Sequence, residues 1–214
     1  MTTQDRWRFR IGVLAGLVAR SRTKLGRTAL MKLAYLLQTV KETPLGYDFR
    51  LYTYGPFDED VLNDIGQAES MQAIVSTMIL FQGGYGYEFS PGPTANQVRG
   101  WIDDKSGTFQ NQMDWVIDNF GSRNAADLEL LSTIVYADRD FLGRTSLVYL
   151  DELVRMVREI KPRFSVEYVK ENIHLLNRMG LLQAFQGRSA LPPTPEPASA
   201  ENVFVRRPRL ETDA

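Results

Sequence analysis

Residues 28–41 read Thr-Ala-Leu-Met-Lys-Leu-Ala-Tyr-Leu-Leu-Gln-Thr-Val-Lys. Leu30, Leu33, Ala34, Leu37 and Val40 recur at steps of three and four, which places them on one stripe of a helix. Pro44 and Gly46 close it. A helix this apolar needs a partner on its stripe, and the flanking sequence supplies candidates. Residues 9–20 read as a helix with Val13, Leu14, Leu17 and Val18 on one face. On the other side, residues 47–54 (YDFRLYTY) alternate like a strand. Gly55-Pro56 is expected to turn the chain there. Asp58 is placed to cap a helix over about 59–72, with Phe57 stapled onto Leu62, and that helix is expected to bury Val61, Leu62 and Ile65.

Further along, residues 74–81 are β-branched and apolar, Gln82-Gly83-Gly84-Tyr85-Gly86 is a turn, and Tyr87-Glu88-Phe89 returns as the second arm of a hairpin. Beyond the hairpin the chain reads as helix until the tail. Phe109, Met113, Val116, Ile117 and Phe120 share one face. Asn124 caps a helix carrying Leu128, Leu131, Ile134 and Val135. A helix over 146–160 buries Leu150, Leu153, Val154, Val157 and Ile160, and Pro162 stops it. Ser165 caps the next, which buries Val169, Ile173 and Leu176 and ends at Gly180. These two helices form a helix-turn-helix, and Gly180-Leu181-Leu182 is expected to begin a strand, as in a winged helix.

The pattern therefore predicts a mainly α chain with a small β-hairpin, an α+β class with a winged-helix-like helical domain. Three segments are expected: residues 1–95 as an N-terminal unit, 96–186 as a C-terminal helical unit packed on it, and 187–214 as a flexible tail containing Leu191-Pro192-Pro193-Thr194-Pro195-Glu196-Pro197. Within the tail, Val203-Phe204-Val205 followed by Arg206, Arg207 and Arg209 suits an extended arm that adds to a partner's sheet.

Composition excludes several chemistries. The 214 residues contain no cysteine, so disulfides, thiolate metal sites and thiol catalysis are out, and a reducing, cytoplasmic setting is expected. No stretch approaches the roughly 20 apolar residues of a membrane span. His174 is the only histidine and has no catalytic motif around it. The glycines at 83, 84 and 86 lie in a hairpin turn, not between a strand and a helix, so they make no phosphate-binding loop. No catalytic, cofactor-binding or metal-ligating residue is named, and the chain is read as a binding protein, not an enzyme. Net charge is −1, yet residues 1–40 hold Arg6, Arg8, Arg10, Arg20, Arg22, Lys24, Arg27 and Lys32 against Asp5 alone. That bias supports an alternative reading, a winged-helix-type DNA-binding regulator using the N-terminal region. The 165–179 helix is a poorer DNA reader, because Glu167 and Glu171 cancel Lys170 and Arg178.

Thr28–Leu37 with Lys32-Leu33-Ala34-Tyr35-Leu36-Leu37-Gln38, followed by Tyr52-Thr53-Tyr54-Gly55-Pro56-Phe57-Asp58, resembles the Panacea domain family, the SocA-like antitoxins and their YwgA-like relatives. Residues 124–138 (NAADLELLSTIVYAD) and Ile160-Lys161-Pro162-Arg163-Phe164-Ser165 leading to Gly180-Leu181-Leu182 also look like that family, so the similarity spans about residues 10–183. The resemblance implies a non-enzymatic antitoxin-like or regulatory protein that neutralises a toxin encoded beside it by direct contact. It points to Lys32, Tyr35, Tyr54, Gly55, Pro56, Phe57 and Asp58 as partner-binding residues, joined by the tail arginines Arg206, Arg207 and Arg209.

Overall fold

The computed structural model of the protein describes residues 2–81, 84–144 and 147–186, with nothing stated of the Phe81 side chain. Among these residues the chain is mainly helical with two small antiparallel hairpins, the α+β arrangement expected from the pattern. The tail from 187 onward, with Arg206, Arg207 and Arg209, lies outside the described residues.

Helix α1 (Thr3–Arg20) starts six residues earlier than its apolar face suggests. The reason is a capping box: Thr2 Oγ1 accepts from the Asp5 amide, and the Asp5 carboxylate accepts from the Thr2 amide, both at 3.1 Å. Helix α2 (Arg27–Lys41) keeps to the expected bounds, closed by Glu42 in the left-handed region at φ 56°. The aromatic stretch behaves differently from expectation. Only β1 (Arg50–Tyr52) is strand, and Gly55-Pro56 is not the turn but part of β2 (Gly55–Phe57), which pairs back on β1 with Leu51 opposite Pro56. The chain reverses at Thr53-Tyr54 instead.

Asp58 then caps α3 (Glu59–Ser70), accepting from the Asp60 amide at 2.8 Å. Leu62 is not buried as expected but 37% exposed, and the Phe57 ring lies 5.3 Å from Tyr52. α3 buries Val61, Asp64, Ile65 and Ala68. The second hairpin, β3 (Ile74–Phe81) and β4 (Gly84–Pro91), is where the sequence puts it, with a longer return arm. A short α4 (Ala95–Arg99) leads to α5 (Thr108–Phe120) and α6 (Ala125–Arg144). The Asn124 side chain caps α6 through the Asp127 amide at 2.8 Å.

At the C-terminal end, α7 (Leu150–Ile160) begins four residues later than the pattern suggests. Val148 is held in a bridge to Phe185, donating to Ala184 O at 2.9 Å and accepting from the Gln186 amide at 3.0 Å. Helix α8 (Val166–Arg178) is capped by Ser165 and followed by Gly180 at φ 70°. The strand expected at 180–182 does not form. The Gly180 and Leu181 amides instead fold back onto α8, donating to Asn177 O at 2.9 Å and Leu176 O at 3.0 Å, while Asp138, fully buried on α6, accepts the amides of Gln183, Ala184 and Phe185 at 2.8, 3.0 and 3.0 Å.

Helices α1, α2 and α6 are buried around their whole circumference over residues 11–18, 29–37 and 128–135. The reason is that different elements cover each side: α3, α4 and α5 pack on α1, α5 and β2 on α2, and β2, α7 and α8 on α6, while α2 and α6 pack on each other. The buried apolar residues form one cluster from Phe9 to Phe185.

Candidate functional site

The residues from Tyr52 to Asp58 form a corner anchored from beneath. Neither Thr53 nor Tyr54 has a positive φ, and Gly55 takes it instead, at 84°. This is the arrangement of a turn followed by a left-handed glycine, which lets β2 re-enter the ladder. Gly55 is required for a second reason: a Cβ there would stand 2.8 Å from Thr133 Oγ1 on α6. The carbonyls on either side are held by buried ammonium groups. Lys32 Nζ on α2 donates to Pro56 O at 2.6 Å, and Lys161 Nζ donates to Thr53 O. Lys161 also pairs with Glu129 at 2.6 Å, and Arg163 takes the other oxygen of that carboxylate at 2.9 Å.

Lys32, Glu129 and Lys161 are only 2%, 4% and 2% exposed. Glu129 is thus the ion-pair partner of Lys161, while the Lys32 ammonium bonds the Pro56 carbonyl. Burial pushes Lys32 down to about 8; Glu129 opposes the shift and the Lys161 charge adds to it. A second buried pair stiffens the same side of the fold. Arg10 Nε lies 2.7 Å from Asp64, and the Tyr47 hydroxyl donates to Asp64 at 2.8 Å. Burial pushes the Asp64 carboxyl up and, together with the Asp64 charge, pushes the Tyr47 hydroxyl up.

The structure brings Lys32, Gly55 and Pro56 together, but as buried supports. Tyr35 is likewise interior, 3% exposed, with its ring edge-on to Phe49 at 5.1 Å, and burial pushes its hydroxyl up. Phe57 and Asp58 are half-buried, and Asp58 also accepts from the Asp48 amide at 2.5 Å. The surface of the corner is aromatic: Tyr52 and Tyr54 are 63% and 65% exposed.

Sequence reasoning missed Glu129, Lys161 and Tyr52. Glu129 carries a signal, since a carboxylate between Leu128 and Leu130 on a buried helix needs a cation. The identity of that cation, 32 positions away, is a tertiary fact.

The eight N-terminal cations do not form one patch. Arg10 pairs with Asp60 and Asp64, Arg20 with Asp114, and Arg22 with Asp118. Lys32 is interior, and Arg8 lies over Trp101 and Arg27 over Tyr87. In the helix-turn-helix, the turn residue Lys161 points into the core and not to a groove, and Lys170 pairs with Asp151 at 3.7 Å. His174 is half-buried beside the Phe185 ring. No described helix is long and apolar enough to cross a membrane, and no three His, Asp or Glu side chains converge as metal ligands among the described residues.

No family model matches this chain, and no curated protein is significantly similar to it.

Proposed function

We propose that this protein works by binding another protein through the Tyr52–Tyr54 corner, as an antitoxin-like module of the SocA kind acting in the cytoplasm on a toxin encoded beside it. The observation that carries the binding reading is the pairing of two exposed tyrosines with a backbone fixed from below by Lys32, Lys161 and Gly55. Tyrosine offers a large amphipathic contact area with few rotamers to freeze, and a rigid support removes the cost of ordering the loop on binding. The toxin as partner rests on the resemblance of the helix and the Tyr54-Gly55-Pro56 turn to that family. The interior position of Lys32, and the pairing of Arg10, Arg20 and Arg22 with carboxylates of the same chain, weaken the support for the DNA-binding alternative.

Co-expression with the neighbouring gene product tests the reading. The wild-type protein should restore growth and co-purify with that product. The Tyr52→Ser/Tyr54→Ser protein should melt at the same temperature but bind at least about 30-fold more weakly, as expected for interface anchors. A harmless neighbour with no stable partner, or unchanged binding by the double variant, would count against it.

A further inference from the structure

On a different face, the second hairpin leans over the start of α2 and leaves a cleft of about 610 Å³. One wall is the turn into α2, where the Phe89 amide donates to Leu25 O at 2.8 Å and fixes the hairpin in place. The other wall is the start of α6 at Arg123–Ala125. The volume lies within the roughly 300–1,000 Å³ of small-ligand sites.

The cleft has two chemically distinct sides. Lys24, Arg27 and Arg123 bring three cations to it, and none makes an ion pair among the described residues. Arg27 is already positioned, its guanidinium 4.0 Å over the Tyr87 ring. The surrounding backbone adds to the positive field: α2 begins at Gly26 with no side-chain cap and no acidic residue in its first turn. The hairpin side is aromatic: Tyr85 and Tyr87 share one face of β4, their rings 6.1 Å apart and edge-on, and with Tyr87 already under the Arg27 guanidinium the exposed Tyr85 ring is the free stacking surface. Glu88 is the one carboxylate in the lining.

We propose that this cleft binds a nucleoside phosphate. The phosphates sit against Lys24, Arg27 and Arg123, and the base stacks on Tyr85. Cations alone would suit any anion. The aromatic wall facing them within one cleft selects an anion that carries a flat ring, since stacking is available to every base. Tyr85 stays open to solvent-side approach because the hairpin extends past the core, where among its described side chains only Ile74 and Phe89 are fully covered.

The test is a titration of the full chain with the fluorescent N-methylanthraniloyl derivative of ATP at low salt. Saturable binding is expected, displaced by unlabelled ATP and much less by adenosine or inorganic phosphate alone. Arg27→Ala/Arg123→Ala and Tyr85→Ala should each weaken it at least tenfold, with far-UV circular dichroism unchanged, since these side chains are outside the apolar core. No saturable signal overturns the proposal. So does binding that both variants leave unaltered, or an oligonucleotide that binds where ATP does not compete, which would make the cleft a contact for a nucleic-acid backbone.

Discussion

Lys32 shows how one residue can look like a surface feature in sequence and behave as a structural one. It stands among the N-terminal cations and in the helix that resembles an antitoxin family, yet it is 2% exposed and bonds a carbonyl. Its proton is held less tightly in the folded chain, at about 8 against an ordinary 10.5. Below pH 8 both folded and unfolded chains carry the proton, and the folded state bears the full cost of burying the charge. Between pH 8 and 10.5 the unfolded chain binds more protons, so stability rises with pH across that window. The cost relieved is on the order of 3 kcal/mol. Tyrosines titrate nearby, so the measurement is a comparison. Melting temperatures of wild type and Lys32→Met, taken from pH 7 to 10.5, should diverge in favour of wild type by roughly 6–12 °C as pH rises. Parallel curves would show that the ammonium is not desolvated as described.

At the scale of the element, the β1–β2 hairpin is too short to be stable alone. It stands because α2, α6 and the turn before α8 each hold one of its backbone groups or fill the space under Gly55. Gly55→Ala meets two penalties, a left-handed φ at a residue with a Cβ and the approach to Thr133 Oγ1. Together they should cost about 2–3 kcal/mol. Thr133→Ala in the same chain should return only the contact part of that loss, leaving the backbone part. Thermal melts of the single and double variants measure both. Full recovery in the double variant would mean that the backbone conformation itself carries no strain.

For the whole molecule, the sequence suggests an N-terminal unit to residue 95 with a C-terminal helical unit packed on it, and the buried apolar residues of both stretches form one cluster from Phe9 to Phe185. Helix α2 from the first half packs on α6 from the second, and Lys161 reaches back to Thr53 across 108 positions. Unfolding should therefore be one cooperative event. Trp7, Trp101 and Trp115 report on α1 and its neighbours, while far-UV circular dichroism reports every helix. In urea the two signals should fall at the same midpoint. A circular-dichroism transition that precedes the fluorescence change would mean that α7 and α8 unfold as a separate unit.

Local rules settled much of this protein. Periodicity alone located α2, α5, α6 and α8, and side-chain chemistry named the caps Asp58, Asn124 and Ser165, because these depend on residues within one or two turns of each other. The α+β class came from the same local signals. The resemblance grouped Lys32 with Tyr54-Gly55-Pro56 as partner-binding residues. Tertiary structure joins them through the Lys32–Pro56 bond, with Lys32 in the interior. Whether a charged side chain faces solvent or a buried partner depends on residues far away in the chain: Glu129 for Lys161, Asp64 for Arg10, and the loop at 183–185 for Asp138. It also decided which strand signals became strands, since the Gly180 and Leu181 amides close the end of α8 and are no longer available to a sheet.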